Sequence, residues 1–77
     1  MTIPDVLPIA QKVYDRHVAG CCAHIVLDDQ NVKKDDVYFC LNQAIELGHK
    51  DCEELCRCLL QLSRTQLLKL GNLVDRV

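Results

Sequence analysis

The chain contains no tryptophan, and Tyr14, Tyr38 and Phe39 are its only aromatic residues. Its core must therefore be built from aliphatic side chains, with cysteine as a small filler. Proline and glycine are scarce as well, two and three residues in a chain of 77. That leaves little room for long loops and argues against a sandwich, a barrel or a two-domain enzyme. No segment approaches the roughly 20 apolar residues that a membrane-crossing helix needs. A strong charge of one sign is missing too. Nine Lys and Arg stand against eleven Asp and Glu, a net charge of −2, which does not suit a general polyanion binder. Residues 1–17 carry charges where a secretion signal requires an apolar run. These absences predict a single small domain over residues 1–77 in the cytoplasm.

Cysteine, by contrast, is abundant: Cys21, Cys22, Cys40, Cys52, Cys56 and Cys58. Without a secretion signal, reduced core thiols are expected over a disulfide scaffold. Four of the six also lie inside helix-like apolar patterns, where cysteine behaves as a small hydrophobe.

The periodicity predicts an all-α fold, a compact bundle of four to five short helices joined by tight turns. Ile3, Val6, Leu7, Ala10, Val13, Tyr14 and His17 recur at three- and four-residue spacing, one stripe of an amphipathic helix. Thr2 suits its cap and Asp5 its first turn, Pro8 is expected to delay the regular helix, and Gly20 marks its end. Residues 22–27 form a short apolar run whose period fits a strand or a helix. No second strand signal exists to pair with it, so a short buried helix is the better reading. Val37, Cys40, Leu41, Ala44 and Ile45 form the third stripe, which stops at Gly48. Asp51 with Glu54 has the spacing of a capping box and opens a fourth helix, lined by Cys52, Leu55, Cys56 and Leu59. Ser63 with Gln66 repeats that box before Leu67, Leu70, Gly71 and Val74. Leu60, Leu68 and Leu73 are apolar beyond these stripes and suit contact with a partner or with a second copy of the chain as a homodimer.

Several constellations bear on chemistry. Zinc takes four Cys or His ligands, commonly as two close pairs. His17 with Cys21 and Cys52 with Cys56 each have i, i+4 spacing, so these four define the metal alternative, a zinc-stabilised structural or regulatory module. No C-x2-C knuckle is present, and core filling is the expected role of the thiols. His24, Asp28 and Asp29 could serve acid–base work or hold a cation, but no second acidic cluster and no glycine-rich phosphate loop accompany them. Cys52 sits among Asp51, Glu53 and Glu54, a setting that disfavours a thiolate nucleophile. Arg57, Arg64, Lys69 and Arg76 are interleaved with acids, unlike a nucleic-acid-binding helix. The remaining feature is acidic. Asp28, Asp29, Asn31, Asp35 and Asp36 gather within nine residues and suit a basic partner surface. The expectation is a non-enzymatic protein without a cofactor that binds another protein through these five residues.

Two stretches resemble known families. Ala44-Ile45-Glu46-Leu47-Gly48-His49-Lys50-Asp51-Cys52, continued by Leu55 and Leu59-Leu60, resembles the helix–helix corner of an ankyrin repeat, with Gly48-His49 at the corner. The T-P-L-H opening and a second copy are both missing, so the resemblance implies a helical hairpin and not a solenoid. The run from Gly20 to Val32 (G-C-C-A-H-I-V-L-D-D-Q-N-V), with Phe39-Cys40 and Ser63-Arg64-Thr65-Gln66 downstream, resembles small accessory proteins of bacteriophages and prophages. Gln30 stands where typical members carry glycine, so the turn after Asp29 is expected to differ. The resemblance implies a place in a bacterial host cell. It also implies a role in binding and blocking a host protein, such as a CRISPR effector or another defence component.

Overall fold

In a computed structural model, which describes residues 2–16 and 22–75, the chain forms five helices and no strand among those residues. They are α1 (Ile3–Arg16), α2 (Cys22–Asp28), α3 (Lys34–Leu47), α4 (Lys50–Leu59) and α5 (Arg64–Leu73). The all-α bundle expected from the periodicity is thus the fold, and residues 22–27 are helix. Gly20, His17, Cys21 and Arg76, and the side chain of Cys22, lie outside the described residues.

The helices start by a shared device. At α1, α3 and α5 the third helical residue turns back to accept the backbone N–H of the residue before the helix. Asp5 accepts from Thr2 at 3.2 Å, Asp36 from Lys33 at 3.0 Å and Gln66 from Ser63 at 2.9 Å. Ser63 Oγ returns the bond by accepting from the Gln66 N–H at 3.2 Å, the reciprocal box expected there. At α1 the Thr2 hydroxyl adds a 2.7 Å bond to the same Asp5 carboxylate. These two bonds favour the charged form and hold the Asp5 carboxyl below its ordinary value of 3.8. A lowered folded value adds stability above the ordinary value, which is lost as pH falls through the lowered one. Thr2→Val should therefore move the Asp5 titration upward toward the ordinary range, as read from its side-chain carboxyl shift by NMR. An unmoved titration would show that the hydroxyl does not hold this charge.

Two expectations about helix starts are corrected. Pro8 does not delay α1, which begins at Ile3 and runs through it. Its ring removes one bond, to the Pro4 carbonyl. Pro4 and Pro8 are both exposed, so the orphaned carbonyl lies on the solvent side while Val6, Ala10 and Val13 are buried. Asp51 does not open α4 by a capping box. The helix begins at Lys50, and Asp51 Oδ1 instead accepts the neighbouring Cys52 N–H at 2.8 Å. The reason is Gly48, whose left-handed backbone (φ 72°) closes α3 by pairing the His49 N–H with the Ala44 carbonyl. One residue later the chain is helical again. The outcome is the tight α3–α4 hairpin that the ankyrin-like string implies. Its open end is tied by Lys34 Nζ, which donates to the Leu60 carbonyl.

α2 packs against all four other helices, and α4 carries the most closely packed pair, with α3. α4 also packs against α1 and α2, while α5 packs against α1 and α2. The expected stripe of Cys52, Leu55, Cys56 and Leu59 is buried, and so is Cys58 on another side of the helix. The core is aliphatic, with Cys40, Cys52, Cys56 and Cys58 as buried thiols that form no disulfide. No polar or charged side chain is buried among the described residues. Leu60 and Leu68 pack against this core, so of the three extra leucines only Leu73 stays largely outside. On α5, Leu67, Leu70, Gly71 and Val74 face inward as the spacing predicts. The end of the described chain is clasped to α1 by one amide. Gln11 accepts from the Asp75 N–H at 2.7 Å and donates to its carbonyl at 3.2 Å. Among the described residues no helix is long and apolar enough to cross a membrane.

Candidate functional site

The acidic residues lie where the chain passes from α2 to α3. Asp28 is the last residue of α2, and Asp29 and Asn31 form the turn. Asp35 and Asp36 occupy the first turn of α3, where carboxylates favour the helix dipole. Three of the acids also have local structural work. Asp29 Oδ1 accepts the Asn31 N–H at 2.8 Å, an Asx turn. Asp36 caps α3, and Asp28 accepts from the Tyr14 hydroxyl at 3.2 and 3.4 Å. No non-glycine residue among those described has positive φ, so the Asx turn does not require glycine in place of Gln30.

His24 and Asp28 do share one side of α2, as their spacing implies, but both face Tyr14. The two rings stack at a centroid distance of 3.8 Å and an angle of 16°. His24 Nε2 lies 2.7 Å from the Tyr14 carbonyl oxygen. The Tyr14 ring thus spans from His24 to Asp28 and docks α2 onto the last turns of α1. That arrangement fixes a helix junction and gives the His24 Nε2 a structural partner. Among the described residues no three His, Cys, Asp or Glu side chains come together to hold a metal ion. Of the zinc set, His17 and Cys21 lie outside the described residues, and Cys52 and Cys56 sit buried one turn apart on α4. The Cys58 thiol is pushed up by burial and by the nearby Glu54 carboxylate. It stays protonated at neutral pH, which opposes a nucleophilic role. Of the basic residues on the last two helices, Arg57 pairs with Glu53 at 3.5 Å one turn away.

A feature the sequence reading passed over lies on α3. Val37, Cys40, Leu41 and Ala44 face the core, but Ile45 does not. It is 48% exposed, a correction to the predicted stripe. At about 100° per residue it stands about 80° round from Val37, past the edge of the buried arc. Phe39 is 62% exposed and Tyr38 53%. Asp35, Tyr38, Phe39, Asn42 and Ile45 are all exposed and follow one another at i, i+3, i+4, i+7 and i+10. They form one outer stripe, and residues three and four apart are neighbours on a helix surface. Two of the three aromatics in the chain are therefore turned to solvent beside the acidic first turn. The signal was present in the sequence, because Tyr38 and Phe39 lie off the apolar stripe of their own helix.

Beside the acidic turn, on the side of α5, lies an open groove of 610 Å³ lined by Leu27, Asp28, Asp29, Gln30, Leu68 and Asn72. No protein-family model, curated protein or solved structure matches the chain.

Proposed function

We propose that this protein is a non-enzymatic binding module that docks the outer stripe of α3 and the adjoining acidic turn onto a host protein. The observation that carries this reading is the exposure of Tyr38 and Phe39 next to Asp35 on one helix. Large aromatics left in water gain most when a partner buries them, and they dominate binding energy where they occur at interfaces. The acids around them raise the encounter rate with a basic partner surface. Of the residues considered for acid–base work, His24 and Asp28 meet Tyr14 at a helix junction, and Asp29 closes an Asx turn. The resemblance to phage accessory proteins supplies the biological setting, inhibition of a bacterial defence complex by occlusion.

The test is phage plating on isogenic bacterial hosts that differ only in an active defence locus, across a panel of CRISPR and other systems. Expression of the chain should raise plating on at least one defended host and leave the undefended parent unchanged. Equal plating with and without the chain throughout the panel would contradict the proposal, as would an equal rise on the undefended parent.

A further inference from the structure

The outer stripe of α3 is complementary to itself. At about 100° per residue, Asp35, Tyr38, Phe39, Asn42, Ile45 and Glu46 lie within about 120° of one another. They occupy the side of the helix opposite the buried Val37, Cys40, Leu41 and Ala44. Their spacing of three and four residues is that of a coiled-coil seam. Asn42 sits in the middle, with Tyr38 and Phe39 before it and Ile45 after it. The two ends carry opposite charge. Asp35 stands at the start and Lys50 just beyond the end, both exposed. Consider a second α3 laid antiparallel on the first with the two Asn42 residues level. Phe39 of each copy then falls opposite Ile45 of the other, Tyr38 opposite Glu46, and Asp35 opposite His49 and beside Lys50. Lys34, level with the other copy's Lys50, is already engaged by the Leu60 carbonyl of its own chain. A parallel pairing instead sets Asp35 against Asp35 and Lys50 against Lys50.

We propose that in the free protein this stripe is covered by the same stripe of a second copy, in an antiparallel pair of α3 helices about a two-fold axis at Asn42. A two-fold interface lays one patch onto itself, so it demands this kind of self-complementarity. The rings of Tyr38 and Phe39 leave water against the Ile45 side chain of the other copy. Each Asn42 amide offers both a donor and an acceptor, so the two pair across the axis and fix the register. The antiparallel arrangement also opposes the helix dipoles. One helix of 14 residues from each copy makes a small interface, in the class of weak and transient contacts. That weakness matters for the consequence, which rests on the binding function proposed above. The pair keeps the aromatics covered until a host protein, bound more tightly, takes the place of one copy.

The test is sedimentation equilibrium from about 10 µM to about 1 mM, where small interfaces dissociate. It is joined to isotope-filtered NMR on a mixture of labelled and unlabelled protein. A reversible monomer–dimer equilibrium is expected, with intermolecular contacts between the Phe39 ring and the Ile45 methyls. Asp35→Lys and Lys50→Asp should each weaken the dimer about tenfold, because each turns two attractions into repulsions. Mixing the two variants in equal amounts should restore it, since each altered residue then faces the opposite charge. Both positions are exposed, so far-UV circular dichroism should show the fold of each variant intact. A monomer at about 1 mM, intermolecular contacts at other residues, or single variants that dimerise like the unaltered chain would each overturn the proposal. The two readings fail separately. A monomeric chain that still raises phage plating rejects self-pairing alone. The expected dimer with unchanged plating rejects the host-docking function alone.

Discussion

Gly71→Ala should lower the thermal midpoint by about 10 °C or more, although alanine is the better helix former by about 1 kcal/mol. The added methyl would sit 2.4 Å from the Leu27 carbonyl oxygen and 3.4 Å from its carbonyl carbon. Both are backbone atoms, so no side chain can rotate away. Either α5 or α2 must shift, and Leu67, Leu70 and Val74 move with α5 out of the pockets that bury them. Overpacking of this kind costs roughly 1–3 kcal/mol, and more where backbone resists. Total stability for a domain of this size is about 4–12 kcal/mol, so the loss is a large share of it. Gly48 makes the contrast. Nothing lies within 4 Å of a Cβ there, and its φ of 72° is the sole reason for glycine. Gly48→Ala should cost about 1 kcal/mol of local strain, with no helix displaced. Thermal unfolding by far-UV circular dichroism checks both variants. An unchanged or raised midpoint for Gly71→Ala would mean that α5 does not approach α2 at this residue.

Most of the architecture was legible because helical periodicity and end signals are local. The stripe Cys52, Leu55, Cys56 and Leu59, the Ser63–Gln66 box and the Gly48 stop each need only a few neighbouring residues to specify them. Residues 22–27 were legible by a different route, the lack of any strand to pair with. The misses share another origin. Pro8 was read as a barrier because propensity counts the lost bond, but does not show that the orphaned carbonyl faces solvent. Asp51 was read as a cap because the spacing fits, but Gly48 lets the chain restart two residues earlier, with His49 at the cap position. Cys58 is buried because other helices cover a second side of α4, a tertiary fact that no single helix records. The acidic residues were found, but not the division of labour among them. Asp29 and Asp36 serve a turn and a cap, which their sequence positions permit without requiring. Tyr38 and Phe39 were passed over although they lie off the α3 stripe. A search for apolar residues that help no core would have found them.

If the protein acts through the outer stripe of α3, Tyr38→Ser/Phe39→Ser should abolish that action while leaving the fold intact. Serine matches tyrosine and phenylalanine in helix propensity, so the substitution removes exposed aromatic area at little cost to the helix. Surface changes of this kind alter stability by about 0.5 kcal/mol or less. Truncating an interface anchor costs about 2 kcal/mol, roughly thirtyfold in affinity, and two adjacent anchors lose more than one. The measurement is the thermal midpoint of the purified double variant beside its phage plating on the defended host at matched intracellular level. The midpoint should stay unchanged, within about 4 °C, and plating should fall back to that of a host lacking the chain. Full plating with both aromatics gone would contradict it and place the contact surface elsewhere on the molecule.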